Sequence, residues 1–236
     1  MCIKLNAMKK HIQVLLLGIA VVLTACNSNT QFEIEGTLAH VPDGEVIYLN
    51  KVTETNANEL IKLDSIVVQN ERFKFVGKVE QPTLGFLSFR DQKGRIPLFI
   101  ESGKTQVTID QDNFTSFALK GTPNNETLSE FERNLSLYKY NILTYQGQQQ
   151  QVYMEALQQK DEAKMQQVLQ GFKKLQEDEQ LFISNYLNQH QTSLTALYYL
   201  YFTSKEDVSQ LKTVYDNLSE TDKKSNLARL AAEKIK

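Results

Sequence analysis

The chain has 236 residues, of which 41% are hydrophobic and 23% charged, so it holds enough apolar area for one or two packed domains. The formal net charge is −2. Without Lys4, Lys9 and Lys10, the only charges in the first 25 residues, the remainder sits near about −5, which argues against nucleic acid or anionic lipid held by charge.

The first element is a leader. From Met8, the better start, the chain reads MKKHIQVLLLGIAVVLTAC. Lys9 and Lys10 form a positive n-region, and Val14 to Leu23 is an apolar stretch of about ten residues, half of the roughly twenty that a membrane-spanning helix needs. It ends in Leu23-Thr24-Ala25-Cys26, which resembles the lipobox of bacterial lipoproteins. The resemblance implies cleavage before Cys26, diacylglycerol on its thiol and acylation of the new α-amine. Two or three acyl chains hold a protein at a membrane where one is marginal. Asn27-Ser28-Asn29-Thr30 then forms a polar tether. It lacks the Asp after the cysteine that retains such proteins in the inner membrane, which implies a periplasm-facing place on the outer membrane. The two cysteines, Cys2 and Cys26, both precede residue 27. The body therefore has no disulfide, thiolate metal ligand or cysteine nucleophile.

From Gln31 to about Gly121 the period is two. Phe32, Ile34 and Leu38 alternate with Glu33, Glu35 and Thr37. Phe73 and Phe75 alternate with Arg72, Lys74 and Val76, and Val107 and Ile109 with Gln106 and Thr108. Turn residues interrupt the pattern at Pro42-Asp43-Gly44, 56–58, Gln69-Asn70-Glu71, 91–94, Ser102-Gly103 and 110–113. This predicts strands near 31–39, 45–51, 60–68, 71–78, 84–90, 95–101, 105–110 and 115–120, forming an antiparallel β-sandwich or barrel.

The period then becomes helical. Thr122-Pro123 reads as an N-cap with Pro at the first helical position. Leu128, Phe131, Leu135, Tyr138, Ile142 and Tyr145 follow at steps of three and four. Gly147 with Gln148 to Gln151 reads as a polar turn. A longer helix carries Met165, Val168, Leu169, Phe172, Leu175, Phe182, Ile183 and Tyr186. Thr192 or Ser193 caps the apolar Leu194 to Phe202. Ser204-Lys205-Glu206-Asp207 resembles a capping box that opens a helix with Val208, Leu211, Val214, Tyr215 and Leu218. The last helix starts near Ser225. The expected organisation is a leader at 1–25, lipidated cysteine and tether at 26–30, a β-sandwich at 31–121 and a helical domain at 122–236. The fold class is α+β, and with no Pro- or Ser-rich linker at Gly121 the halves are expected to pack together.

Phe32-Glu-Ile-Glu-Gly36, Gly44 to Leu49, Asp64-Ser-Ile, Arg72 to Gly77, Gln81-Pro82, Ile96 to Glu101 with Gly103, and Gly121 to Asn125 fall in a familiar order. Over 31–125 this resembles the domain of unknown function at the N-terminus of many Gram-negative envelope lipoproteins. In those proteins a helical spacer and then a thioredoxin-like or peroxiredoxin-like domain with Cys-x-x-Cys follow. The resemblance implies association with thiol-disulfide chemistry. This sequence ends at Lys236, where that domain would begin, and has no redox cysteines to carry over.

Other chemistry finds little support. His40 and His190 belong to no ligand pattern and read as surface residues. There is no G-x-S-x-G; Glu101-Ser102-Gly103 is a turn, and the glycines form no phosphate loop. Glu33 with Glu35, and Glu177 with Glu179, read as solvated pairs rather than a glycosidase dyad. Asp64-Ser65-Ile66 fits the Asp-Ser-aliphatic pattern of periplasmic O-glycosylation, which makes Ser65 a candidate site; the alternative is a strand hydroxyl bonded to backbone. Tyr138, Tyr140, Tyr145, Tyr186, Tyr198, Tyr199 and Tyr201 crowd the helical half as core edge or as a binding face.

The sequence therefore predicts a non-enzymatic lipoprotein with no catalytic residue, cofactor or metal. It would be anchored by Cys26 and bind or recruit an envelope protein. Two alternatives stand beside it: a truncated or split thiol-disulfide oxidoreductase, and a glycan- or small-ligand-binding lipoprotein. A concave aromatic strip on one sheet face would mark the last.

Overall fold

The computed structural model describes residues 30–39, 41, 43–90, 94–110 and 113–236. The leader, Cys26 and His40 lie outside them. The elements are β1 (Gln31–Ala39), β2 (Val46–Val52), β3 (Leu60–Val67), β4 (Arg72–Lys78), β5 (Thr83–Phe89), β6 (Arg95–Ile100), β7 (Gly103–Asp110) and β8 (Asn113–Lys120). The helices are α1 (Pro123–Gln159), α2 (Glu162–Gln189), α3 (Leu194–Thr203), α4 (Ser209–Asn217) and α5 (Asn226–Ile235), with a 3₁₀ turn at Asp222–Lys224. The chain is α+β. Each strand read from the alternation is present, with ends moved by one or two residues.

One sheet runs β4-β1-β7-β8 and the other β3-β2-β5-β6. Pairing is antiparallel except between β1 and β7, which run parallel from Phe32 opposite Gly103 to Ala39 opposite Asp110. The sandwich is thus mostly, not wholly, antiparallel. Alternation sets which face of a strand is buried and carries no information about the direction of its neighbour. Phe32, Ile34, Phe73, Phe75, Val107 and Ile109 of the first sheet join Ile47, Leu49, Leu87, Ile96 and Leu98 of the second in one buried core. Burying each such side chain stabilises by roughly 1.5–3 kcal/mol. On this inner face Gly36 pairs with Phe73 and Gly77 with Phe32. A Cβ on Gly36 would meet the Phe73 ring at 2.3 Å, and one on Gly77 the Phe32 ring at 2.6 Å, so each ring lies over a glycine.

The turns follow local chemistry. Asn70 and Glu71 both adopt positive φ, and Gln69 and Arg72 exchange backbone hydrogen bonds, closing a two-residue hairpin between β3 and β4. The edge strand β3 has a register shift between the partners of Leu49 and Asn50, and Asp64 stands opposite inward-facing Leu49. A bulge and a charge in the middle of an edge strand both discourage pairing with another sheet.

The helices pack against the second sheet and along β8 of the first, and two asparagines join them to the second sheet. Asn125, in the first turn of α1, accepts from the Phe99 N–H at 2.8 Å through Oδ1. Its Nδ2 donates to the Phe99 carbonyl at 2.8 Å. Asn226, at the start of α5, accepts from the Leu84 N–H at 2.7 Å and donates to the carbonyls of Leu84 (3.1 Å) and Val52 (3.0 Å). Each amide takes the place of a neighbouring strand for backbone groups that would otherwise be buried unpaired.

Three helical expectations need correction. The segment from Gly147 to Gln151 is not a turn: α1 runs unbroken through it for 37 residues, about 55 Å. The three- and four-residue steps continue through Gln149, Val152 and Ala156, and this register keeps the segment helical despite the glycine. The Thr122 hydroxyl does not cap α1; it meets Thr105 Oγ1 at 3.1 Å and accepts from Asn125. The cap is Glu101 at the end of β6, whose carboxylate accepts from the Asn124 N–H (3.2 Å) and Nδ2 (2.6 Å) and the Asn125 N–H (3.4 Å). Burial raises the Glu101 carboxyl above its ordinary value, and the bonds from Asn124, Thr122 and Asn125 oppose that rise. Finally, Ser204 opens no helix: α4 begins at Ser209, whose N–H donates to Asp207 Oδ1 at 2.9 Å.

Candidate functional site

The first two turns of α1 lie on the sandwich, and beyond them α1 and α2 form a long antiparallel hairpin. Lys160, with φ 56°, turns the chain, and Asp161 caps α2 by accepting from the Lys164 N–H at 2.9 Å. Further back, the Tyr145 hydroxyl donates to the Val168 carbonyl at 3.1 Å across Gly171. A Cβ on Gly171 would lie 2.0 Å from the Tyr145 oxygen, so the close approach requires glycine.

Where the hairpin leaves the body, the two helices frame a groove of about 420 Å³. Phe182 and Tyr186 of α2 and His190 at its C-cap follow at four-residue steps and share one face. Tyr138 of α1 stacks on Phe182 with centroids 5.1 Å apart, and His190 stacks on Tyr186 at 4.2 Å. Beneath them Phe131, fully buried, meets Tyr186 at 4.4 Å and Tyr199 of α3 at 5.3 Å. Glu130, Asn134 and Tyr138, also four apart, supply one wall; Asp178, Leu181, Asn185 and Gln189 supply the other. No lysine or arginine lines the groove. Its rim is anionic and hydrogen-bonding, and its floor is aromatic.

The Tyr186 hydroxyl lies buried beside Ser193 and Thr195 without a well-formed hydrogen bond, as does the Thr195 hydroxyl. Burial pushes the phenol up to about 12, and the charge of Glu130 adds to that. It stays neutral at any physiological pH. What this arrangement can do is stack against flat groups, accept hydrogen bonds and attract a cation to the ring faces.

The tyrosines divide between the two readings. Tyr186 is core; Tyr138, Tyr145, Tyr198, Tyr199 and Tyr201 are half-buried core edge; Tyr140 is exposed. His190 ends α2 and is half-buried against Tyr186, rather than standing free on the surface. Glu33 and Glu35 are bridged by Lys104, at 3.1 and 2.8 Å, and Lys74 adds a second contact to Glu33 at 2.8 Å. Those lysines hold the Glu33 carboxyl below its ordinary value. Glu177 pairs with Lys173 at 3.5 Å. Ser65 is exposed in the middle of β3, and its N–H donates to Asp64 Oδ1 at 2.7 Å. The outer face of the first sheet carries a wider hollow of about 640 Å³. Glu35, Thr37, Arg72, Lys74, Gln106 and Thr108 line it, with Ile66 and Val67 of β3 at its margin and Phe73 as its single aromatic residue, which makes no aromatic strip. Among the described residues no three His, Asp or Glu side chains converge to hold a metal ion, and no helix is long and apolar enough to cross a membrane.

The groove was only partly foreseen. Tyr138, Phe182 and Tyr186 carry the helical periodicity that marks them, whereas Glu130, Asn134, Asp178, Asn185 and Gln189 read as ordinary solvated positions. Their steps of three and four from the aromatic residues are the available signal.

Residues 32–128 match the family model described as a domain of unknown function (DUF4369). The match agrees with the resemblance read over 31–125. It covers the whole sandwich and the first turns of α1, so it includes the Glu101 cap and the Asn125 bridge to Phe99. No curated protein matches the chain at a significant level.

Proposed function

We propose that this chain is a lipid-anchored, periplasm-facing module that binds an envelope protein instead of catalysing a reaction. The observation that carries this reading is the groove at the root of the hairpin, with its stacked floor of Tyr138, Phe182, Tyr186 and His190 and its rim of Glu130 and Asp178. Aromatic residues at the centre of a polar rim characterise protein-binding surfaces. The absence of a lining cation favours a partner segment that offers lysine or arginine beside apolar residues. A photo-activatable residue at Gln189, installed in the full chain and irradiated in the intact envelope, should capture a discrete protein that the same residue at Val76 does not. Equal capture at both positions, or none at Gln189, would refute the reading.

The anchor rests on the Leu23-Thr24-Ala25-Cys26 box. Cys26→Ala should leave an unprocessed precursor that takes no alkyne fatty acid, and equal label on mutant and wild type would refute lipidation. A thioether sulfur has no ionisable proton and cannot attack a disulfide. The body should therefore show no disulfide reductase or peroxidase turnover, unless a stoichiometric cofactor co-purifies with it. Ser65 is the candidate O-glycosylation site, supported by its exposure on β3 after Asp64. A glycan there would add a mass that Ser65→Ala removes.

A further inference from the structure

The α1 helix carries two apolar stripes. The first, Leu128 through Tyr145 to Ala156, faces the body and α2. The second is Tyr140, Leu143, Gly147, Gln150, Met154 and Leu157, at steps of three, four, three, four and three. At about 100° per residue this second stripe lies roughly 150° around the helix from the first. It faces solvent: Tyr140 is 65% exposed, Leu143 66%, and Met154 and Leu157 50% each. It also borders a recess of about 410 Å³ between the helices, floored by Val168, Leu169 and Phe172 of α2.

We infer that this stripe is a self-association surface, on which a second copy of the chain docks with its α1 antiparallel to the first. Three observations select that occupant. The spacing reads the same in both directions, so reversing the helix about a point between Gly147 and Gln150 returns the stripe to itself. A two-fold axis at that point sets Leu143 against Met154 of the second copy and Tyr140 against its Leu157, as an isologous interface requires. The stripe also has a gap and a residue to fill it. A Cβ on Gly147 would have nothing within 4 Å, and the axis brings Gln150 of the second copy onto that space. A parallel arrangement would face glycine with glycine and leave a hole. Lastly, no charged residue occurs from Tyr140 to Met154 or from Met165 to Phe172, and none of the ten residues lining the recess is charged. Such a belt meets its own copy without repulsion and has no charge to select a foreign partner. The surface lies beyond the groove of the proposed partner site, so the two can be occupied together.

The chain's only native cysteines are Cys2 and Cys26, which makes disulfide mapping simple. In the full chain, in its native membrane, Leu143→Cys and Met154→Cys together should give a crosslinked dimer on mild oxidation. Either substitution alone should leave monomer, because like positions in the two copies sit about 16 Å apart in this register. Co-expressing the two single variants should restore the dimer band. Leu63→Cys on β3 is the control for random collision. In detergent, the native chain should sediment as a dimer and the Leu143→Glu/Met154→Glu variant as a monomer with unchanged circular dichroism. A monomeric native chain at about 100 µM, equal crosslinking at Leu63, crosslinking by the single variants, or capture of a different envelope protein would each overturn the inference.

Discussion

The two ends of α1 are held by different physics. Near Asn125 and Phe131 the helix sits in a dry interior, where the Phe99 backbone, the Glu101 carboxylate and three aromatic rings fix it at short range. Beyond about Tyr140 the same helix packs chiefly against α2, and half of its apolar residues face water. One end is over-determined and the other under-used. Position along the helix, and not residue type, decides what a substitution does.

The comparison is tested first where the largest effect is expected. Phe131→Ala should destabilise by about 3–5 kcal/mol in urea unfolding, since it removes a fully buried ring from Phe182, Tyr186 and Tyr199. A loss under 1 kcal/mol would mean that the root of the hairpin is not the core it looks to be. Asn226→Leu keeps the volume but strips partners from the Leu84 N–H and the Leu84 and Val52 carbonyls, and should cost about 3 kcal/mol. If a same-size apolar residue is tolerated, the asparagine does not join the layers.

Glu132 gives a smaller, pH-dependent contrast. Burial raises its carboxyl above the ordinary 4.5, with Lys139 opposing. The folded state then holds the proton more tightly than the unfolded state, so this group makes the protein lose stability as pH climbs from about 4.5 through the raised value. Glu132→Gln should therefore be the more stable form at pH 7, with the difference shrinking to nothing near pH 4 in parallel urea titrations. A constant difference across that range would show that charge is not the cause. At the far end, Leu143→Ala should change monomer stability by no more than about 0.5 kcal/mol, measured where the chain is monomeric.

Much of this division was legible in the sequence. Alternation in 31–120 gave all eight strands, because each needs only its own residues to declare a buried face. The parallel partnership of β1 and β7 was not legible, since it joins segments some seventy residues apart and alternation is blind to direction. Gly147 misled for a related reason. A glycine beside four glutamines is locally a turn, but the helical register runs on through Val152 and Ala156, where α2 packs. The groove was half legible: its rings declare themselves by periodicity, while Glu130 and Asp178 matter only because another helix stands opposite.

The amide of Asn226 has one more consequence, and it concerns time. Its partner Leu84 lies 142 residues earlier in the chain. A polypeptide emerging in order from the ribosome presents the sandwich strands long before it presents α5. Through that interval the ends of β2 and β5 have water where Asn226 will later sit, and the apolar outer surface of their sheet lacks its cover. Contacts spanning so much sequence form slowly, and a half-covered sheet is prone to association. The newborn chain thus has its greatest need for a chaperone late in its synthesis, when most of the sandwich has already emerged.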